Sequence, residues 1–142
     1  MKESLRNGIS ALKPQTIMDV EKPFWDALEE GKLMLQHCKD CNHIQFPPSK
    51  ICTECTSYNV EWIEAKGTGK LWSKVRFHKA YLKPYQDTPY GVSIVKLDEG
   101  PVVTGRLAEE YFDDIQLDDK VEIEFYKTTD GSVIFGFKKE SD

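Results

Sequence analysis

Apolar and polar residues alternate with a period of two over much of the chain after Gly69. In the first of these runs, Leu71, Ser73, Val75 and Phe77 are expected on one face and Trp72, Lys74, Arg76 and His78 on the other. Four further runs follow, separated by turn residues, and they cover Tyr90–Leu97, Pro101–Leu107, Val121–Tyr126 and Val133–Phe137. The pattern predicts five short antiparallel strands, with a short helix or turn between the third and the fourth.

Five such strands in about seventy residues match the five-stranded Greek-key barrel of the OB-fold. A barrel this small buries little apolar surface, so the segments before it are expected to pack against its rim. The predicted fold is therefore mainly β, with an N-terminal helical segment at 1–32, a cysteine-containing ribbon at 33–66 and the barrel at 67–142.

A short amphipathic helix is predicted from Lys22 to Glu30. Asp19 is a candidate N-cap, Pro23 falls in the first turn and Gly31 is a candidate C-cap. The apolar stripe of this helix consists of Phe24, Trp25 and Leu28. Two turns of helix cannot bury these side chains alone, so they must pack on the rest of the chain or on another subunit.

All four cysteines of the chain lie within one short stretch, as Cys38-Lys-Asp-Cys41 and Cys52-Thr-Glu-Cys55. Two such turns can supply the tetrahedral all-sulfur shell that Zn²⁺ prefers, and four ligands leave no open position, so one structural Zn²⁺ is predicted. Iron in a rubredoxin-like site, a redox pair and two disulfides remain as alternatives. His37 and His43 flank the first turn and are expected to be exposed turn residues, not ligands.

Bulk composition describes an ordinary protein of 142 residues with a formal net charge of −5. No secretory signal or transmembrane run is visible, which predicts a cytoplasmic protein without a membrane contact. Negative charge, and Glu122 and Glu124 on the expected outer face of the barrel, disfavour a nucleic-acid partner. The segment 65–86 differs, because it holds six basic and no acidic residues.

Several short motifs occur in a fixed order along the chain. They are Phe24-Trp25, Gly31-Lys32-Leu33, Gln36-His37-Cys38, Phe46-Pro47-Pro48, Gly67-Thr68-Gly69, Pro89-Tyr90 and Leu97-Asp98-Glu99-Gly100. Together with the cysteine pairs, they resemble the acyl-CoA-associated family of zinc-ribbon plus OB-fold proteins from about Val20 to the C-terminus.

This resemblance implies an accessory subunit of a thiolase-superfamily enzyme that makes or cleaves carbon–carbon bonds on acyl-CoA, in a β-oxidation-like pathway. Such a subunit stabilises its partner in a hetero-oligomer and can help to shape the CoA site. The residues are consistent with a non-catalytic role, because zinc would use every cysteine and leave none as a nucleophile. Phe24, Trp25 and Leu28 are predicted at the partner interface.

The cationic segment suits either the phosphates of a CoA ester at the partner interface or an acidic surface of the partner. The residues predicted to contact CoA or the partner are Trp72, Lys74, Arg76, His78, Lys79, Lys83 and Tyr90. Two other functions stay open: a single-stranded nucleic-acid binder, and a free-standing protein that binds or hydrolyses acyl-CoA.

Overall fold

The computed structural model describes residues 19–77, 90–128 and 131–140 of the chain. Within these ranges, two helices and eight strands follow one another, with helix α1 first and helix α2 between the sixth and seventh strands. The elements are α1 (Lys22–Glu29), β1 (Met34–Cys38), β2 (Ile44–Gln45), β3 (Val60–Glu64), β4 (Thr68–Phe77), β5 (Tyr90–Leu97), β6 (Val102–Leu107), α2 (Glu109–Phe112), β7 (Lys120–Lys127) and β8 (Val133–Lys139). No helix of the described ranges is both long and apolar enough to span a membrane.

Helix α1 begins and ends close to the predicted residues, with Pro23 in its first turn and Gly31 just beyond its end at φ 78°. The N-cap prediction is wrong, however. The N-cap position is occupied by Glu21, whose side chain makes no capping hydrogen bond. Asp19 lies two residues earlier, where its carbonyl oxygen accepts a hydrogen bond from the Lys22 N–H at 3.4 Å.

The cysteine segment forms a three-stranded antiparallel sheet with the order β2–β1–β3. Strand β1 lies in the centre, so Gln36 pairs with Gln45 on one side and with Trp62 on the other. This sheet carries the first cysteine pair at the end of β1 and holds the second pair in the connection from β2 to β3.

Strands β4 to β8 form a closed barrel with the order β4–β5–β6–β8–β7, completed by antiparallel pairing of β4 with β7. This arrangement confirms the predicted five-stranded barrel. The expectation that all neighbours are antiparallel is wrong at one place, because β6 and β8 pair in parallel through Arg106–Gly136 and Leu107–Phe137. The connection from β6 to β8 contains α2 and β7. Because β7 runs antiparallel to β8, the chain enters β8 in the same direction as β6.

A β-bulge in β4 changes which side chains share a face. Leu71 pairs with Val95 and Ser73 with Ile94, so Trp72 is an extra residue on this strand. Beyond the bulge, Lys74 and Arg76 pair with Ser93 and Gly91, whereas Val75 is 40% exposed. The predicted alternation is therefore wrong for Lys74, Val75 and Arg76, since one inserted residue moves these side chains to the opposite face.

One hydrophobic core joins the helix, the ribbon and the barrel. Phe24 of α1 contacts Phe46 of the ribbon and Phe135 of β8, with ring centroids 5.5 and 6.4 Å apart. Leu33 and Leu35 continue this core into the barrel interior, where Phe125 and Phe137 are also fully buried. The helix, the ribbon and the barrel thus share one core. The domain boundaries predicted at residues 32 and 66 stay a prediction.

Candidate metal centre and neighbouring surfaces

The two cysteine pairs lie on turns of the same construction. In the first, the Asn42 N–H donates to the Cys38 carbonyl at 2.8 Å, and in the second the Thr56 N–H donates to the Cys52 carbonyl at 2.9 Å. Asn42 and Thr56, which follow the last cysteine of each pair, have left-handed φ values of 66° and 63°. This local geometry turns both sulfur atoms of each pair toward the same side.

The four sulfur atoms form one cluster. All Sγ atoms lie within 4.8 Å of one another, and the Cys38–Cys55 and Cys41–Cys52 distances are both 3.6 Å. None of the four cysteines is in a disulfide. Tetrahedral Zn²⁺ with Zn–S bonds of about 2.3 Å requires neighbouring sulfurs roughly 3.8 Å apart. The donor set and its spacing therefore fit a zinc ion held by Cys38, Cys41, Cys52 and Cys55, in which it would cross-link the two turns.

The electrostatics of the cluster also favour a bound cation. Backbone N–H groups, that of Cys55 foremost, lower the pKa of Cys52 to about 7. The His43 N–H acts in the same direction on Cys41, but partial desolvation and the three neighbouring thiols outweigh it and raise the pKa of Cys41 to about 12. Negative charge on one sulfur thus opposes ionisation of the next, and a divalent cation relieves this repulsion.

Neither neighbouring histidine belongs to the sulfur cluster. His37 was expected in an exposed turn but lies within β1, where its Nδ1 is 2.7 Å from Glu61 Oε2 and its Nε2 is 3.2 Å from Asn42 Oδ1. His43 Nε2 lies 3.4 Å from Thr53 Oγ1. Both rings contact residues of the turns, and the candidate ligand set consists of four sulfurs.

A buried pair of glutamines, for which no role was predicted, positions the second turn. Gln45 Nε2 donates to Gln36 Oε1 at 2.9 Å, while Gln45 Oε1 accepts from the Thr53 N–H at 2.9 Å. Gln36 Oε1 also accepts from the Ser49 N–H at 2.8 Å. Buried polar groups require partners, so this network fixes the link between the cysteine pairs. In the sequence, this network is signalled only by the two glutamines themselves, Gln36 and Gln45.

The helix residues predicted at the partner interface have different environments. Phe24 and Leu28 are only 5% and 1% exposed and lie in the core of this chain. Most of their surface is therefore covered within this chain, while Leu28 also lines an apolar pocket beside Trp25. Contact with a partner stays a prediction for all three residues. Trp25 is partly exposed and lines an apolar pocket of about 160 Å³ together with Val92 and Ile134.

Two cations of the predicted surface, Lys74 and Arg76, are engaged inside the chain. Lys74 Nζ donates to the carbonyls of Phe112 and Ile115 at 2.7 and 2.8 Å, which satisfies the C-terminal end of α2. The Arg76 guanidinium lies 4.1 Å from the centre of the Phe112 ring and 3.2 Å from Asp113 Oδ1. His78, Lys79 and Lys83 lie outside the described residues.

The remaining two predicted contact residues, Trp72 and Tyr90, differ in exposure to solvent. Trp72, on the bulge of β4, is 52% exposed, and Lys96 Nζ lies 5.4 Å from its ring centre. Tyr90 is 4% exposed and is covered by the Arg106 guanidinium at 5.0 Å. Of the predicted set in the described ranges, Trp72 alone offers a large exposed ring.

Polar residues on the outer face of the barrel are more buried than the sequence indicated. Glu124 was expected to face solvent, but it is 1% exposed, and its neighbour Tyr126 is fully buried. Glu124 pairs directly with Gly136 of β8, and a Cβ at Gly136 would lie 2.5 Å from the Tyr126 ring. Glu124 therefore contributes no surface charge against an anionic partner, and that part of the argument from the sequence is wrong.

Family models for two adjacent domains match most of the chain. Residues 25–61 match the rubredoxin-like zinc ribbon domain of ChsH2, and residues 62–126 match its C-terminal OB-fold domain. The boundary between the two matched models falls within β3.

Two relatives and one solved structure illustrate the similarity. A DUF35 domain-containing scaffold protein of Pyrococcus furiosus is 31% identical over 127 residues, which cover 85% of this chain and 91% of that protein. A probable enoyl-CoA hydratase alpha subunit of Thermomonospora curvata is 33% identical over 91 residues; these cover 63% of this chain but only 28% of the relative. A structure described as Ltp2-ChsH2(DUF35) aldolase has a TM-score of 0.79 at 24% identity, covering 89% of this chain and 98% of that one. This last likeness establishes a shared fold.

Proposed function

Since the chain belongs to the DUF35 family of ChsH2-type zinc-ribbon and OB-fold proteins, we propose that it is the non-catalytic subunit of a thiolase-like enzyme acting on acyl-CoA. In this role it binds and stabilises the catalytic chain, which makes or cleaves a carbon–carbon bond in a β-oxidation-like pathway. The related proteins named as scaffold, hydratase subunit and aldolase support an association with such enzymes.

The observation that carries this proposal is the convergence of every cysteine on one closed cluster. Acyl transfer of the thiolase type requires a reactive cysteine and a nearby base. A thiolate bonded to a structural zinc is not free for that chemistry, and the two histidines of the described ranges contact Glu61, Asn42 and Thr53. In the proposed role, the catalytic subunit supplies the nucleophile.

The second part of the proposal concerns which subunit binds the CoA ester. Lys74 and Arg76 bind the segment around α2, and Tyr90 is buried, so these three would have to exchange partners before they could bind a phosphate. We therefore place the ester in the catalytic subunit, against the edge of this chain. The acyl group is selected by the partner.

A pull-down of the tagged chain from its own host, with metal analysis of the eluate, tests the function. We expect a stoichiometric thiolase-like protein and about one zinc per copy of this chain. The chain purified alone should not turn over an acyl-CoA, whereas the recovered complex should. Recovery of the chain by itself, or turnover by the isolated chain, would contradict the proposal.

Trp25→Ala is predicted to weaken the complex by about 30-fold, because partly exposed tryptophans beside an apolar pocket are typical anchors of protein interfaces. Its measurement is the dissociation constant between the tagged chain and the recovered partner. Tyr58→Ala is the matched control, since Tyr58 is an aromatic residue 82% exposed on the ribbon. Equal affinity of Trp25→Ala and the wild type would exclude this face of α1 from the interface.

A further inference from the structure

Three lysines of the barrel stand side by side across neighbouring strands. In the registers of β4, Lys70 pairs with Lys96 of β5 and also with Lys120 of β7. Directly paired residues point to the same face of a sheet, and all three side chains are exposed. The three lysines therefore form a row, hereafter the lysine row, across the outside of the barrel with one strand spacing, about 4.8 Å, between successive backbones.

This arrangement is unfavourable for the isolated chain. Like charges directly opposite each other on paired strands are destabilising. In the ranges that the structure describes, no carboxylate forms an ion pair with any of the three ammonium groups. The acidic residues around the row are mostly engaged elsewhere: Asp119 with Lys139 at 3.8 Å, Glu122 with Lys138 at 3.7 Å, and Asp98 with the Thr68 hydroxyl.

An exposed aromatic residue lies at one end of the row. The Trp72 ring is 5.4 Å from Lys96 Nζ, and the bulge holds this ring on the outside of β4. Lys120 lies at the other end, and together with Lys70 in the middle of the row it borders a polar pocket of about 250 Å³ that Asp98 and Glu140 also line. A half-exposed tryptophan beside cations that form no ion pair in the described ranges suits a protein interface. The ring would anchor the partner, and the cations would attract its negative charge.

We propose that the lysine row and Trp72 form a docking surface for an acidic segment of the catalytic subunit. This inference rests on the proposed function and adds to it a second contact, separate from Trp25. Charge complementarity selects the occupant: three adjacent cations on a chain of net charge −5 match a short run of carboxylates. A short run of carboxylates can be confined to the row, whereas the continuous phosphates of a nucleic-acid strand would extend past it to the flanking carboxylates of Asp98, Asp119 and Glu140, which would repel them.

Lys70→Glu is the decisive variant because it changes the middle of the row. Placing a carboxylate between Lys96 and Lys120 replaces two repulsive pairs by two attractive ones, so the melting temperature should rise by about 2 to 4 °C. Binding to the recovered partner should nevertheless weaken by about tenfold or more and lose most of its dependence on salt between roughly 50 and 300 mM. Trp72→Ala should weaken binding without removing the salt dependence.

Lys127→Glu is the matched control, with the same charge change on an exposed lysine of β7 away from the row. It should bind within about twofold of the wild type. If Lys70→Glu does not fold, Lys120→Gln provides the test, with an expected loss of about threefold. Unchanged affinity in the row variants, or a melting temperature that falls together with affinity, would overturn the docking surface.

Two other outcomes separate this inference from its premise. Recovery of the wild-type chain without any partner would overturn the proposed function, and the docking surface with it. A labelled oligothymidylate of about 15 nucleotides that binds the wild type but not Lys70→Glu would instead assign the surface to single-stranded nucleic acid. A partner that binds the wild type and the row variants equally would leave the function intact and exclude this surface alone.

Discussion

Cys38→Ser is expected to abolish zinc binding and to leave the chain either insoluble or unable to hold its partner. Cys38 is 1% exposed at the end of β1, and its sulfur lies 3.6 Å from that of Cys55. Structural zinc contributes on the order of 10 kcal/mol to the folding of small all-sulfur sites. A serine hydroxyl cannot replace the thiolate, so most of this contribution is lost with one ligand.

The measurement is the zinc content of purified protein, together with its recovery in the soluble fraction and in the complex. Zinc should fall from about one to well below 0.1 per chain, and treatment of the wild type with a strong chelator should reproduce the loss of the partner. His43→Gln serves as the control, since the His43 side chain contacts Thr53 and not the cluster, and the substitution keeps the His43 backbone N–H, so the variant should retain full zinc. A soluble, zinc-free Cys38→Ser protein that still forms the complex would exclude a structural role for the metal.

Phe24→Ala is expected to lower the free energy of unfolding by about 3 to 5 kcal/mol, the range for removing a buried aromatic side chain. Phe24 is 5% exposed and its ring lies 5.5 Å from that of Phe46 in the ribbon and 6.4 Å from that of Phe135 in the barrel. The cavity would open where the helix, ribbon and barrel meet. Urea unfolding followed by tryptophan fluorescence measures the change.

Trp25→Ala is the control for this second prediction, because Trp25 is the adjacent residue of α1 but is only partly buried. It should destabilise the isolated chain much less than Phe24→Ala and weaken the complex more than its stability loss explains. The opposite ranking of the two variants in stability would place Trp25, not Phe24, at the centre of the shared core.

Several features could be read from local sequence because their signals are local. The positions of α1 and of the barrel strands follow from hydrophobic periodicity, and β5 occupies the predicted residues Tyr90–Leu97. The ligand set follows from two Cys-x-x-Cys turns, each of which closes within four residues and brings its own pair of sulfurs together. The order of the motifs also indicated the family, which the relatives confirm.

Other features depend on residues that are distant in sequence. Nothing near Trp72 signals a bulge, because the bulge exists only relative to β5, and it is the bulge that turns Lys74 and Arg76 toward α2. The burial of Phe24 likewise depends on Phe135, more than a hundred residues later. A pattern along one strand cannot specify the register of its partner.

By itself, the sequence therefore determined helix α1, the five-stranded barrel and the grouping of the four cysteines, since periodicity and turn spacing act over a few residues. Only the tertiary structure decided which predicted contact residues are accessible and which cations stand together. It buried Phe24 and Leu28, engaged Lys74 and Arg76, and aligned Lys70 with Lys96 and Lys120. The physical reason is that exposure and charge proximity are set by strand pairing and packing between distant segments, which no local pattern encodes.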